Sequence, residues 1–304
     1  MDSTTQKEPE IIEVDQIDEG KKYREFPTFI DLVAIFGVFI LSQILGVLLV
    51  KIALPHLMPT LSDSLAEAMV MLLTQVLSMS ATIIFILIMR RSRHAQAAPI
   101  GFSLGGFNPT ILLGGVLMLI SMSVVIEPLL SLLPPPPSFI ARGWPLLLTV
   151  VVGAPLFEEF ICRGLILESV RAKRGVVVAW LVSSLFFALL HVDPAMVVNA
   201  FFMGLVLGFI YIRSQSIVAP IILHAINNAI AYLCIVLGVG GDNGSVMLRD
   251  LIPSDSVYYV VYGVAALILI ISTVVCVRQF KKIIDGNQSE NEEQAEAIEE
   301  VSGN

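Results

Sequence analysis

The chain has 304 residues, of which 56% are hydrophobic and only 14% charged, with a formal net charge of −8. A soluble domain is about 45–50% apolar and about 25% charged, so this composition excludes an ordinary soluble globular protein. It predicts an all-α polytopic membrane protein. The acidic balance belongs to the two ends. Residues 1–26 hold eight acids and four bases, and residues 283–304 hold seven acids and no base, which leaves +3 on the rest. Both ends are expected to be polar, solvated and disordered tails.

Taken in order, the first tail is acidic and lacks a short apolar stretch followed by a small-residue cleavage site. The first hydrophobic segment is therefore expected to be a retained span. Apolar runs near the ~20 residues that cross a bilayer follow at 30–54, 66–89, 109–133, 145–168, 176–191, 195–212, 216–239 and 257–277. About eight transmembrane helices result, the fifth of them short. Breakers separate them at Pro55, Pro59, Pro134 to Pro137, Gly175, Pro194 and Gly240-Gly241. Gly114-Gly115 and the pair Gly204 and Gly208 are small-residue faces whose simplest role is close helix packing.

The layout divides into a tail (1–26), N-terminal helices (27–143), a four-helix catalytic core (144–239), a C-terminal helix (240–282) and a second tail (283–304). With eight spans, fourteen of the 18 Lys and Arg fall on one side. Only Lys51, Arg142 and Arg249 lie near the other, and Arg163 is inside a helix. Positive residues favour the cytoplasmic side, which puts both termini there, in what reads as a bacterial plasma membrane. The cysteines Cys162, Cys234 and Cys276 lie in apolar segments without paired spacing, which argues against a disulfide framework or a CxxC metal site.

The functional signal is the stretch Glu158-Glu159-Phe160-Ile161-Cys162-Arg163 inside an apolar span. A charge at the bilayer centre costs about 2.5–3.5 kcal/mol on insertion scales, so three together need a reason. Glu159 and Arg163 stand four apart, acid first, the favoured order for a helical ion pair. That leaves Glu158 free to act as a general base. At 1.5 Å per residue, Glu158, His191, His224 and Asn228 fall within roughly two helical turns of one level, so they can meet if their helices converge. His224 and Asn228, four apart, share a face, and Phe187 lies one turn from His191, placed to wall the pocket.

These motifs, Glu158-Glu159-xxx-Arg163, Phe187-xxx-His191, Phe201-xx-Gly204-xxx-Gly208 and His224-xxx-Asn228, resemble in order and spacing those of the CAAX prenyl protease and bacteriocin-processing family of intramembrane endopeptidases. The resemblance covers about residues 144–238. It implies an endopeptidase that cleaves a membrane-associated peptide or protein substrate, with the lipid bilayer as its other partner and no nucleic acid. It implies that Glu158 and His191 activate water while His224 and Asn228 stabilise the oxyanion. Glu159 and Arg163 would be the pair that orients Glu158. The family is read both as zinc-dependent and as metal-free. HExxH is absent, but Glu158, His191 and His224 would suffice for a Zn2+ ion with an open position. Relatives act on prenylated CAAX proteins or in bacteriocin maturation and immunity, and the reaction is expected here rather than a prenyl substrate.

Two other functions compete. Intramembrane Glu and His residues also serve proton- or cation-coupled transporters, but residues 1–140 hold no second copy of the Glu-Glu helix. A catalytically inactive membrane scaffold is the other. Among further residues, Asn227 is the neighbour able to take the role of Asn228. Cys162 reads as a buried small residue, because a thiolate beside two carboxylates is disfavoured. Glu127 with Pro128 reads as a bend or interface residue. Asp193 and Asn199 border the far end of the pocket, and His56 and His94 read as surface residues.

Overall fold

In lipid every backbone N–H and C=O must find a partner inside the protein, and an apolar run of about 20 residues does this as a helix. A computed structural model describes residues 26–93, 109–134, 141–239, 247–275 and 277–278, and these contain no strand. Residues 1–25 of the first tail, the whole second tail, His94, Cys276, Gly240-Gly241 and Pro135 to Pro137 lie outside the described residues. Helix α1 (Phe29–Leu57) pairs with α2 (Asp63–Ser92), and α3 (Pro109–Leu130) follows. A long rod then runs from Trp144 to Leu189, followed by α7 (Pro194–Ser214), α8 (Val218–Val236), the short α9 (Leu248–Leu251) and α10 (Asp255–Val275).

Seven helices among the described residues are long and apolar enough to cross a membrane, and the protein is an all-α polytopic membrane protein. The rod of 46 residues counts once in that seven but is broken at Gly175, where φ is +76°. Glycine adopts that left-handed backbone without a Cβ penalty, so the chain reverses there and the expected short fifth segment is the part after it. Pro194 starts α7 as expected, with Asp193 as its N-cap. The Asp193 carboxylate accepts from Ala195 N (3.0 Å) and Met196 N (3.1 Å). Asp193 therefore closes a helix end.

Pro55 departs from expectation, because α1 continues through it to Leu57. Its missing N–H falls in the last turn, where the residue one turn back, Lys51, is exposed, so losing one ladder bond costs little. The start of α1 is fixed by reciprocal Thr28 and Asp31 bonds. Arg93 at the end of α2 reaches the same Asp31 at 2.6 Å and ties the two helices together. The lipid-facing sides of α1 and α10 carry large exposed apolar residues such as Leu41, Leu48, Leu267 and Ile271.

The core forms around the rod. Its second half (α6, Glu168–Leu189) packs on α7, and its first half packs on α2 and α8. Three glycines set these approaches. A Cβ on Gly204 would lie 3.1 Å from the Ser184 backbone, one on Gly208 2.8 Å from the Trp180 ring, and one on Gly115 2.4 Å from Leu223. A side chain at any of the three would push on the facing neighbour, so small residues let α6 approach α7 and α3 approach α8 this closely. Gly114 faces open space, so only one of the two adjacent glycines packs a helix.

Glu127 is an interface residue. Its carboxylate accepts from Leu248 N (2.7 Å) and Arg249 N (3.2 Å), while Tyr262 Oη donates to Val125 O (3.2 Å). Together these bonds fasten α9 and α10 to α3.

Candidate active site

The first half of the rod is not one uniform α-helix. After an α-helical start (α4, Trp144–Leu147), the backbone is π-helical over Leu148–Gly153, α-helical over Ala154–Glu159 (α5), and π-helical again over Phe160–Leu167. Short π-helical insertions occur often at functional sites, because the wide turn re-aims side chains. Here they flank the Glu-Glu pair. Pro155 lies at the first junction and has no N–H, so the helical ladder must change there. This feature was not anticipated from the i,i+4 spacing, although proline inside an apolar span is the signal that could have suggested it.

Glu159 is fully buried, and three groups share its carboxylate. Arg163 Nη1 donates to Oε1 at 3.2 Å, and Arg163 Nε approaches Oε2 at 3.0 Å. The second approach is out of line for a hydrogen bond and is an ion contact. His224 Nδ1 lies 3.0 Å from Oε1, across from α8. An ionised carboxylate only accepts, so Nδ1 carries the hydrogen. Arg163 Nη2 also donates to Gly204 O (3.0 Å), and its Cζ sits 4.6 Å from the centroid of the Phe187 ring. The buried cation is thus compensated on every side. The pairing expected from spacing is present, and the acid is shared with a histidine that spacing could not reveal.

Phe187 gathers the rest. Its ring makes edge contacts with His191 (centroids 5.5 Å apart) and His224 (5.4 Å), besides the guanidinium. Its own carbonyl holds His191 Nδ1 at 3.1 Å. A carbonyl only accepts, so Nδ1 is the protonated nitrogen and Nε2 of a neutral His191 keeps a free lone pair. His191 is half-buried and His224 almost wholly buried. Glu158 is buried beside this network, in the electrostatic field of His224, Glu159 and Arg163. Its Oε2 meets no hydrogen-bond donor among the described residues.

Asn228 Nδ2 donates to Val150 O (2.8 Å), and Asn227 Nδ2 donates to Asn228 Oδ1 (3.3 Å). Asn228 is therefore the member of the pair that bridges to the Glu158 rod. Cys162 is fully buried in the apolar core, and its carbonyl accepts from Ser183 Oγ (2.8 Å). Asn199 is half-buried on α7, and His56 is exposed in the last turn of α1.

The zinc set expected on Glu158, His191 and His224 does not assemble. Among the described residues no group of three His, Cys, Asp or Glu side chains is arranged to hold a metal ion. Nδ1 of each imidazole is held by a protein oxygen and both rings pack against Phe187, which orients the rings and leaves Nε2 of each as the nitrogen able to face a ligand.

Residues 140–230 match the family described as type II CAAX prenyl endopeptidase Rce1-like. The matched span includes every residue of the network just described. This segment resembles the Rce1-like CAAX proteases. The Rce1-like segment is also similar to the membrane-embedded CAAX protease MroQ of Staphylococcus aureus, with 33% identity over 96 residues. That match covers 29% of this chain and 39% of the relative, so the chain spans well under half of the relative's length. No solved structure matches the chain. The matched segment holds the residues of the site and leaves α1, α2, α3, α9 and α10 outside the match.

Proposed function

We propose that the protein is an intramembrane endopeptidase of the glutamate type, hydrolysing a peptide bond in a membrane-associated peptide or protein. The observation that carries the reading is the buried Glu158 carboxylate with one oxygen unpartnered, set beside an acid that is fully neutralised. In this reading Glu158 takes one proton from a water molecule that His191 Nε2 orients by accepting its other hydrogen; the oxygen attacks the scissile carbonyl, and Glu158 then passes the proton to the departing amine. His224 and the remaining N–H of Asn228 stabilise the oxyanion. Glu159 and Arg163 hold His224 and the rod in place. The Rce1-like match and the similarity to a CAAX protease support a CAAX-type peptide as the substrate class to test first. The Lys and Arg asymmetry supports cytoplasmic termini and access from that side of a bacterial plasma membrane.

Loss of an oxyanion donor lowers turnover while leaving binding largely intact. In the purified full-length protein, Asn228→Ala is expected to reduce kcat on a fluorogenic farnesylated CAAX peptide by about 10²–10³-fold with KM nearly unchanged. Unchanged kcat would remove Asn228 from the reaction, and an unmodified protein that leaves every such peptide intact would remove the CAAX substrate class.

A further inference from the structure

The bond between Asn228 and Val150 has a cause in the sequence. In the first π-helical stretch the Ala154 N–H donates to Thr149 O, five residues back. The next donor in that register is residue 155 and the next acceptor is Val150 O. Residue 155 is proline, which has no N–H. Val150 O is thereby stripped of its helical donor in a setting where an unpaired carbonyl is costly. The donor comes instead from α8, as Asn228 Nδ2 at 2.8 Å.

This also settles which way the Asn228 amide points. A carbonyl can only accept, so the nitrogen and not the oxygen of the amide must face Val150. The oxygen then faces Asn227, whose Nδ2 donates to it at 3.3 Å. Both ends of the amide are held. One hydrogen of Asn228 Nδ2 is committed to Val150 and the other is left over.

We propose that Pro155, Asn227 and Asn228 form a relay that locks the Glu158 rod to α8, with Pro155 and Asn227 as positioning residues that hold the Asn228 amide in its donating orientation. Pro155 creates the vacant acceptor, Asn228 fills it, and Asn227 keeps the amide from turning over. Three residues before the first acid, the same junction fixes how α5 presents Glu158. The catalytic consequence rests on the hydrolytic reading above; the hydrogen-bond relay itself does not.

The test separates the two. Apparent unfolding temperatures of the full-length protein in detergent micelles are measured for Asn228→Ala, Pro155→Ala and the double variant. Asn228→Ala is expected to lower the temperature by about 2–4 °C when Pro155 is present, and by less than about 1 °C in the Pro155→Ala background, where the backbone supplies Val150 with a donor. Equal shifts in both backgrounds overturn the relay. Should Pro155→Ala not fold, the pair Asn227→Ala and Asn228→Ala decides: the double variant is expected to melt where Asn228→Ala alone does, and full additivity overturns the lock.

On the farnesylated CAAX peptide, Asn227→Ala is expected to lower kcat roughly tenfold at constant KM, with Asn227→Gln recovering most of it. A rise in KM at constant kcat overturns the positioning role. Absence of cleavage by the unmodified protein counts against the CAAX substrate class alone, because the melting cycle judges the relay without it.

Discussion

Arg163→Ala is expected to deplete the protein from the membrane before any question of activity arises. The guanidinium is fully buried and serves four partners: both oxygens of Glu159, the Gly204 carbonyl and the Phe187 ring. Its removal leaves a carboxylate in the apolar interior facing only His224. Breaking a buried pair from one side costs about 3–5 kcal/mol, a large share of the ~5–15 kcal/mol that holds a typical fold. Quantitative blotting of membrane fractions should show a several-fold loss. The double variant Arg163→Met with Glu159→Gln should restore abundance, because it removes both charges while the substituted amide oxygen can still accept from His224 Nδ1. Abundance of Arg163→Ala equal to the parent would mean that the ion network contributes nothing to folding.

His191→Ala is expected to do the opposite, leaving the protein in the membrane and removing its turnover. His191 is only half-buried and stands just past the end of α6, where its ring bonds the Phe187 carbonyl and its backbone N–H the Ala188 carbonyl, so no other helix is tied through it by a hydrogen bond. The ring bond fixes the tautomer and leaves Nε2 unprotonated, which is what accepting a hydrogen from the water needs. Positioned acid–base groups contribute about 10²–10⁴-fold to rate. Steady-state kinetics on the farnesylated CAAX peptide should show kcat reduced by that order, with unfolding temperature and membrane yield unchanged. If yield fell instead, His191 would be a packing residue of the Phe187 cluster.

Much of the site was legible because its key pairs lie on single helices. Glu159 with Arg163 and His224 with Asn228 are each four apart, and such pairs share a face whatever the rest of the chain does. Counting helical rise brought His191 to the same level from the far side of a glycine break. What could not be read were contacts between helices, since the rotation of one rod against another is set by packing at glycines such as Gly204. The His224–Glu159 bond, the Gly204 carbonyl under Arg163 and the Phe187 ring touching both imidazoles are all of that kind. The spacing of Glu158, His191 and His224 is of the same kind, since one shared depth on three helices does not decide whether the three side chains gather around one point. The π-helical turns fell between the two cases. Pro155 was visible, but whether its lost bond kinks the helix or widens it depends on what fills the gap, and here an asparagine on α8 does.

The central claim is that the Glu158 carboxylate activates the attacking water, and Glu158→Gln tests it most directly. The substitution keeps the shape of the side chain, removes its basicity and leaves the Glu159–Arg163 pair untouched. Full-length protein reconstituted in vesicles, given the farnesylated CAAX peptide, should bind it as the parent does and release no product above the uncatalysed rate. Cleavage by Glu158→Gln at the parental rate would contradict the account.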